Sequence, residues 1–311
     1  MSQTLDEAMR EACEKVGICV PRNTKPGIWA KSPVVGKAKS NTSGRVLIFD
    51  DRQGGVAHNW ANGLQEIFKL NGQGRSRLSD KERREIAERQ RERQRRQQEQ
   101  YEAVSRICTA IVQDCEATTH PYLERKGFPN EVGLVHENPL KHFPASNLGE
   151  SLMRAMPDLG QPLLIVPGRI GKTITTVQFI TPEGEKKNIL GGKMDGASHR
   201  IATGRETWVA EGIATALTLR AALKLLGRSA TVLSAFSTAN VAKVASEHPG
   251  AIIAADHDKP VEQFDGLGTG EYYARRSGHV WAMPPVRGDF NDYQDSDGLR
   301  AVALQLRGVS A

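Results

Sequence analysis

From Arg205 onward the sequence alternates four times between short apolar runs and helix-length segments, and this alternation restricts the fold more than any other feature. Thr207–Ala210, Thr231–Ala235, Ala251–Ala255 and His279–Met283 have the length and residue types of buried strands. Ile213–Leu226, Ala239–Glu247, Thr269–Ser277 and Gly298–Leu306 follow them as helices. A helix after each strand returns the chain to the same end of the sheet, so neighbouring strands run parallel. The expected fold class is α/β, a twisted parallel sheet with flanking helices.

Upstream the pattern changes. Pro162–Val166 and Ile174–Ile180 are β-rich, and the turn Thr181-Pro-Glu-Gly184 leads into Glu185–Leu190, which predicts a mixed α+β region. Residues 79–100 contain only Ile86 and Ala87 as aliphatic residues. Ser79 with Glu82 forms a capping-box signature, and Asp80/Arg84, Glu85/Arg89 and Glu92/Arg96 are acid-before-base pairs at i,i+4. This predicts a solvated helix. Tyr101, Val104, Ile107, Cys108, Ile111, Val112 and Cys115 continue it at helical spacing, as a face that docks on the next domain. Near the N-terminus a helix over Leu5–Val16 and a strand over Arg45–Phe49, followed by the turn Asp50–Gly55, predict a small docking module. The expected division is 1–75, a small N-terminal module; 76–117, a charged helical linker; 118–204, a basic subdomain; and 205–311, the α/β domain. A length of 311 residues suits about two domains at ~150 residues each.

Composition removes several function classes. The longest apolar stretch, Trp208–Leu226, is broken by Glu211, Arg220 and Lys224, so no membrane span is expected. The first fifteen residues are acidic and amphipathic, unlike a secretion signal. Four cysteines are too few for a disulfide scaffold, which fits a reduced, cytoplasmic protein. The net charge of +6 permits a basic face for nucleic acid without requiring one.

Ligands of open α/β sheets sit at the carboxyl ends of the strands. Three sets of acids fall there: Glu211 after the first strand, Asp256 and Asp258 after the third, and Asp289 and Asp292 after the fourth. Any one of them is explained by capping of the following helix. Three sets at one edge repel one another unless a hard divalent cation lies between them.

At these residues the chain resembles the Toprim family, the catalytic fold shared by bacterial-type primases, topoisomerases and certain nucleases. The resemblance lies in Glu211-Gly212 after the first strand, Asp256-His-Asp258 after the third, and Gly288-Asp-Phe-Asn-Asp292, which is similar to the third acidic motif of phage and plasmid primases. Pro121-Tyr-Leu-Glu-Arg-Lys-Gly127 resembles the opening of a primase catalytic core. Leu164–Lys193, with Gly184-Glu-Lys-Lys187 and Gly191-Gly-Lys193, resembles the basic sheet beside it. The resemblance covers residues 118–311 and implies a Toprim-type sheet behind a mixed α+β subdomain. It departs from the family in lacking a Cys/His zinc ribbon and in a longer loop after Asp258.

The resemblance implies primer synthesis on single-stranded DNA from nucleoside triphosphates, with Mg²⁺ or Mn²⁺ as cofactor and a replicative helicase or other replication protein as partner. It implies Glu211, Asp256 and Asp258 as catalytic residues, with the same three and Asp289 as metal ligands. Arg169, Lys186, Lys187, Lys193, His199 and Arg200 are implied at the template or the triphosphate, with Lys187 and Lys193 foremost. A Toprim nuclease and a non-catalytic single-strand-binding protein are the alternatives.

Four other features lie outside this resemblance. Gly168-Arg-Ile-Gly-Lys-Thr173 lacks the first P-loop glycine, since position 166 is Val, and a strand-like run follows it. Cys13, Cys19 and His58 offer too few zinc ligands at irregular spacing, so zinc is not expected. Trp60 is either a base-stacking residue or part of a small core, and His257 is expected to face solvent.

Overall fold

The computed structural model describes residues 3–70, 79–157 and 160–310. The chain divides into two compact units, one ending at Arg96 and the other beginning at Gln97.

In the first unit, α1 (Leu5–Lys15) starts from a capping box in which Thr4 and Glu7 satisfy each other's backbone N–H groups. Then come β1 (Trp29–Ser32), β2 (Gly44–Ile48), β3 (Gly54–Asn59) and β4 (Leu64–Lys69), an antiparallel sheet in that order. Alternation along the strands turns Val46, Ile48, Ala57 and Phe68 toward Ala8, Met9, Ala12 and Cys13 of α1, and these make the core. Only β2 was legible among the four strands. β3 opens with two glycines, and β4 mixes Gln65 and Glu66 with its apolar residues.

The helix α2 (Asp80–Gln113) is continuous across the division between the units, and Ser79 and Glu82 cap it reciprocally. The expected boundary near residue 75 lies outside the described residues.

In the second unit, Val104, Cys108 and Ile111 of α2 are fully buried with Leu152, Leu163, Ile165, Val177 and Phe179. They pack on an antiparallel sheet of β5 (Glu116–Thr118), β6 (Gly133–His136), β7 (Leu163–Ile170), β8 (Thr173–Ile180) and β9 (Lys186–Asn188). The helices α3 (Pro121–Arg125) and α4 (Asn147–Arg154) lie in its connections. The P-loop-like run is the hairpin between β7 and β8.

The second sheet of this unit holds β10 (His199–Ala202), β11 (Glu206–Ala210), β12 (Ala230–Ser234), β13 (Ile252–Ala254) and β14 (Val280–Ala282), in the order β10-β12-β11-β13-β14. All neighbours are parallel except β10 against β12. The helices α5 (Ile213–Leu225), α6 (Thr238–Ser246), α7 (Thr269–Ser277), α8 (Phe290–Asp297) and α9 (Leu299–Leu306) cover both faces. Trp208, Val232 and Ile252 pack with Leu219, Phe290, Val302 and Leu306 on one side. Val209, Leu233 and Ile253 pack with Val241, Val244 and Ala274 on the other. Burial on both faces is why these strands read as unbroken apolar runs.

The chain leaves β11 first toward β12 and then crosses back to β13. The strand order therefore reverses at β11, and a crevice opens beyond the carboxyl ends of β11 and β13. The two sheets are joined by the paired backbones of Arg169 and Ser198 and by an apolar cluster that includes Tyr122, Leu164, Ile213 and Phe236.

Candidate active site

Glu211 follows β11 directly, and Asp256 follows β13 by two residues. The backbone carbonyl of Glu211 accepts from Phe236 N–H at 2.8 Å and from Ser234 Oγ at 3.0 Å, which ties it to the end of β12. Its carboxylate accepts the Thr238 hydroxyl. Asp256 is held by packing: a Cβ on Gly270 would lie 2.4 Å from the Asp256 carbonyl oxygen, so only glycine lets the start of α7 approach this closely. Asp258 Oδ2 accepts the Gly270 N–H at 2.8 Å. Asp289 caps α8, with Oδ1 accepting from Asn291 and Asp292 N–H at 2.7 and 2.9 Å. His257 and Gly288 exchange two backbone hydrogen bonds, which brings the loop bearing Asp289 beside the one bearing Asp256 and Asp258.

Two of the four acids thus do what isolated acids after strands do: Asp258 and Asp289 bind helix-start N–H groups. Asp256 does not. Its Oδ1 is buried and has no hydrogen-bond partner. Burial first, then the charges of Glu211, Asp289 and Asp258, push the Asp256 carboxyl well above its usual range, against a small lowering by Lys186. Glu211 is raised too, mainly by burial and further by Asp258 and Asp289, while the Thr238 hydrogen bond and Lys186 lower it. Both line a cavity of about 10 Å³, room for one water, together with Thr238, Val241, Ala255 and Tyr273.

Four mutually repelling carboxylates, one with an orphaned buried oxygen, form an all-oxygen donor set that fits a hard divalent cation. No three of their oxygens, one from each residue, lie within 4.8 Å of one another.

The basic residues are spread over the second unit. Lys186 of β9 reaches the acids: its Nζ lies 3.6 Å from where a side chain on Gly212 would begin and 5.6 Å from the centre of the Tyr122 ring. Lys187, next along the strand, is exposed and pairs with Glu185 at 3.2 Å. Lys193 is exposed, and its backbone bonds Thr175. Arg169 is half-buried at the bulge in β7, and Arg200 is exposed on β10. His199 bonds the Pro167 carbonyl through Nδ1, and burial pushes its pKa down to about 4, so it carries no charge at neutral pH. His257 does not face solvent as expected: it is half-buried, with Nδ1 on the Pro284 carbonyl at 3.1 Å.

Thr238 and Gly270 were missed by the sequence reading. Strand ends, which locate the acids, also locate Ser237-Thr238 after β12.

Among the described residues, the three ligand atoms that converge within 4.8 Å of one another belong to Asp114, His136 and His142. This cluster is satisfied without a metal. His136 Nδ1 accepts the Asn138 N–H at 3.0 Å, so its proton sits on Nε2, facing Asp114, whereas a metal-bound imidazole uses its second nitrogen as a donor. Hydrogen bonds from Lys141, then His142, hold the Asp114 carboxyl down at about 2. Cys13 is packed into the core of the first unit, where burial pushes its thiol up to about 11, and His58 accepts from Trp60.

No protein-family model matches the sequence. Among solved structures, the chain is similar to the primase fragment of the bacteriophage T7 primase-helicase protein, with 12% identity and a TM-score of 0.37 over 90% of this chain and 100% of that one. It is similar to the Aquifex aeolicus primase, comprising zinc-binding and RNA polymerase domains, with 11% identity and a TM-score of 0.38 over 100% and 86%. A DNA primase domain from Pseudomonas aeruginosa matches with 16% identity and a TM-score of 0.35 over 56% and 63%.

Proposed function

We propose that this chain is a primase-like nucleotidyltransferase of the Toprim type, from a phage or plasmid replication system, that makes short primers on single-stranded DNA from nucleoside triphosphates. The observation that carries the reading is the buried, unpartnered Oδ1 of Asp256 among three further carboxylates at the point where the strand order reverses. Glu211, Asp256, Asp258 and Asp289 would hold Mg²⁺ or Mn²⁺, which when bound supplies Lewis-acid activation of a hydroxyl and charge neutralisation at phosphate.

The rest falls to the chain's own groups. Glu211, whose carboxyl is raised by burial and fixed by Thr238, is placed to accept the proton of the attacking 3′-hydroxyl. The new bond forms between that oxygen and the α-phosphorus, and pyrophosphate leaves. Lys186, alongside Glu211 and Asp256, offsets phosphate charge that the carboxylates alone would repel. Arg169, Lys187, Lys193 and Arg200 serve the template more peripherally.

The test incubates the protein with single-stranded DNA, labelled nucleoside triphosphates and Mg²⁺ or Mn²⁺. New oligomers that vanish with Asp256→Ala support the reading. Shortening of the template instead would make the protein a nuclease. The absence of both products would refute catalysis.

A further inference from the structure

The first unit presents a second surface, on the open face of its antiparallel sheet. Strand register lines up two rows of side chains there: Trp29, Leu47, Val56 and Ile67, and beside them Lys31, Arg45, His58 and Gln65. These positions alternate with the residues that α1 covers, so both rows point away from the helix. Lys69, opposite Gly54, extends the face.

Large apolar groups are left in water here. Trp29 is 42% exposed, Ile67 54%, and Trp60, just past β3, 58%. Trp60 is nevertheless fixed: its indole N–H donates to His58 Nδ1 at 2.9 Å, and the Arg45 guanidinium lies 4.6 Å from its ring centre. Burial, then the Arg45 charge, lowers the His58 pKa and keeps that nitrogen an acceptor. With Arg45 over its ring, the indole remains more than half exposed.

The charges on this face have one sign. Lys31, Arg45 and Lys69 lie on it, and among the described residues of the four strands no carboxylate does. The acids among residues 3–70 sit on α1, at Asp50 and Asp51 in the β2–β3 turn, and at Glu66, which pairs with Lys15 of α1 at 2.7 Å. An acid-free face, with one indole held beside a cation and a second exposed, matches a polyanion that offers flat rings between its charges. Aromatic groups on such a sheet stack with any base, and the cations meet phosphates.

We propose that this face binds single-stranded DNA, with bases stacking on Trp60 and Trp29 and phosphates meeting Lys31, Arg45 and Lys69. The proposal stands apart from the acidic site and does not require polymerisation. It is tested on the full chain with a labelled oligothymidylate in EDTA, following anisotropy and tryptophan quenching. Trp60→Ala and Trp29→Ala should each weaken binding about ten-fold, and Trp60→Phe should restore most of it. Lys31→Glu should flatten the dependence of affinity on salt. Equal binding by Trp60→Ala and Lys31→Glu, or no binding by the unsubstituted chain, overturns the proposal and leaves the face to a protein partner. Nucleotide incorporation by Asp256→Ala would count against the catalytic reading alone.

Discussion

At the scale of single residues, Asp256 carries an electrostatic cost in the absence of a cation. Folding raises its carboxyl above the ordinary value near 3.8. Its bound proton therefore stabilises the fold fully below that value, and the contribution is lost as pH rises through the raised one. Asp256→Asn should raise the melting midpoint of the metal-free protein at neutral pH, by about 2–4 °C for each ~1 kcal/mol of relieved repulsion and desolvation. The same change should remove the stabilisation that Mn²⁺ gives the unsubstituted chain, as thermal denaturation in EDTA and in Mn²⁺ would show. Thr238 is a positioning residue: its hydroxyl holds Glu211 and lowers that carboxyl against the effect of burial. Thr238→Val should move the acid limb of the incorporation rate to higher pH, and Thr238→Ser should leave it in place. An unshifted limb in the valine variant would show the hydroxyl to be structural only.

At the scale of elements, the tightest constraint is the approach of α7 to the loop after β13. Gly270→Ala places a carbon where the Asp256 carbonyl already sits, so the helix start must move. A cost of about 1–3 kcal/mol in denaturant unfolding is expected, together with weaker Mn²⁺ binding. How far the elements were legible follows from burial. β11, β12 and β13 are apolar on both faces and stood out in the sequence, as did the polar-to-apolar change along α2. β1, β3 and β4 are half-exposed and broken by glycine or charge, and they did not. α8, Phe290-Asn-Asp-Tyr-Gln-Asp-Ser-Asp297, has no apolar period, and its signature is the Asp289–Asp292 capping box. The acids were found because strand ends can be counted. The ranking of lysines was not recoverable, because Lys186 and Lys187 are adjacent and only the pairing of β8 with β9 decides which one turns toward Glu211.

At the scale of the whole molecule, each unit has an apolar core of its own, centred on Val46, Ile48 and Ala57 in the first and on the two faces of the parallel sheet in the second. Ile48→Ala and Leu219→Ala should each cost about 2–5 kcal/mol, in different transitions of a calorimetric scan. A single transition moved equally by both would show the units to melt as one. On the proposed reading Asp258 and Asp289 would serve chemistry and scaffold together, since each also accepts N–H groups at the start of a helix. Truncating either to alanine strips a cap as well as a charge, so an inactive alanine variant leaves chemistry and architecture confounded. Asparagine, which caps a helix as well as aspartate does, is the substitution that separates the two.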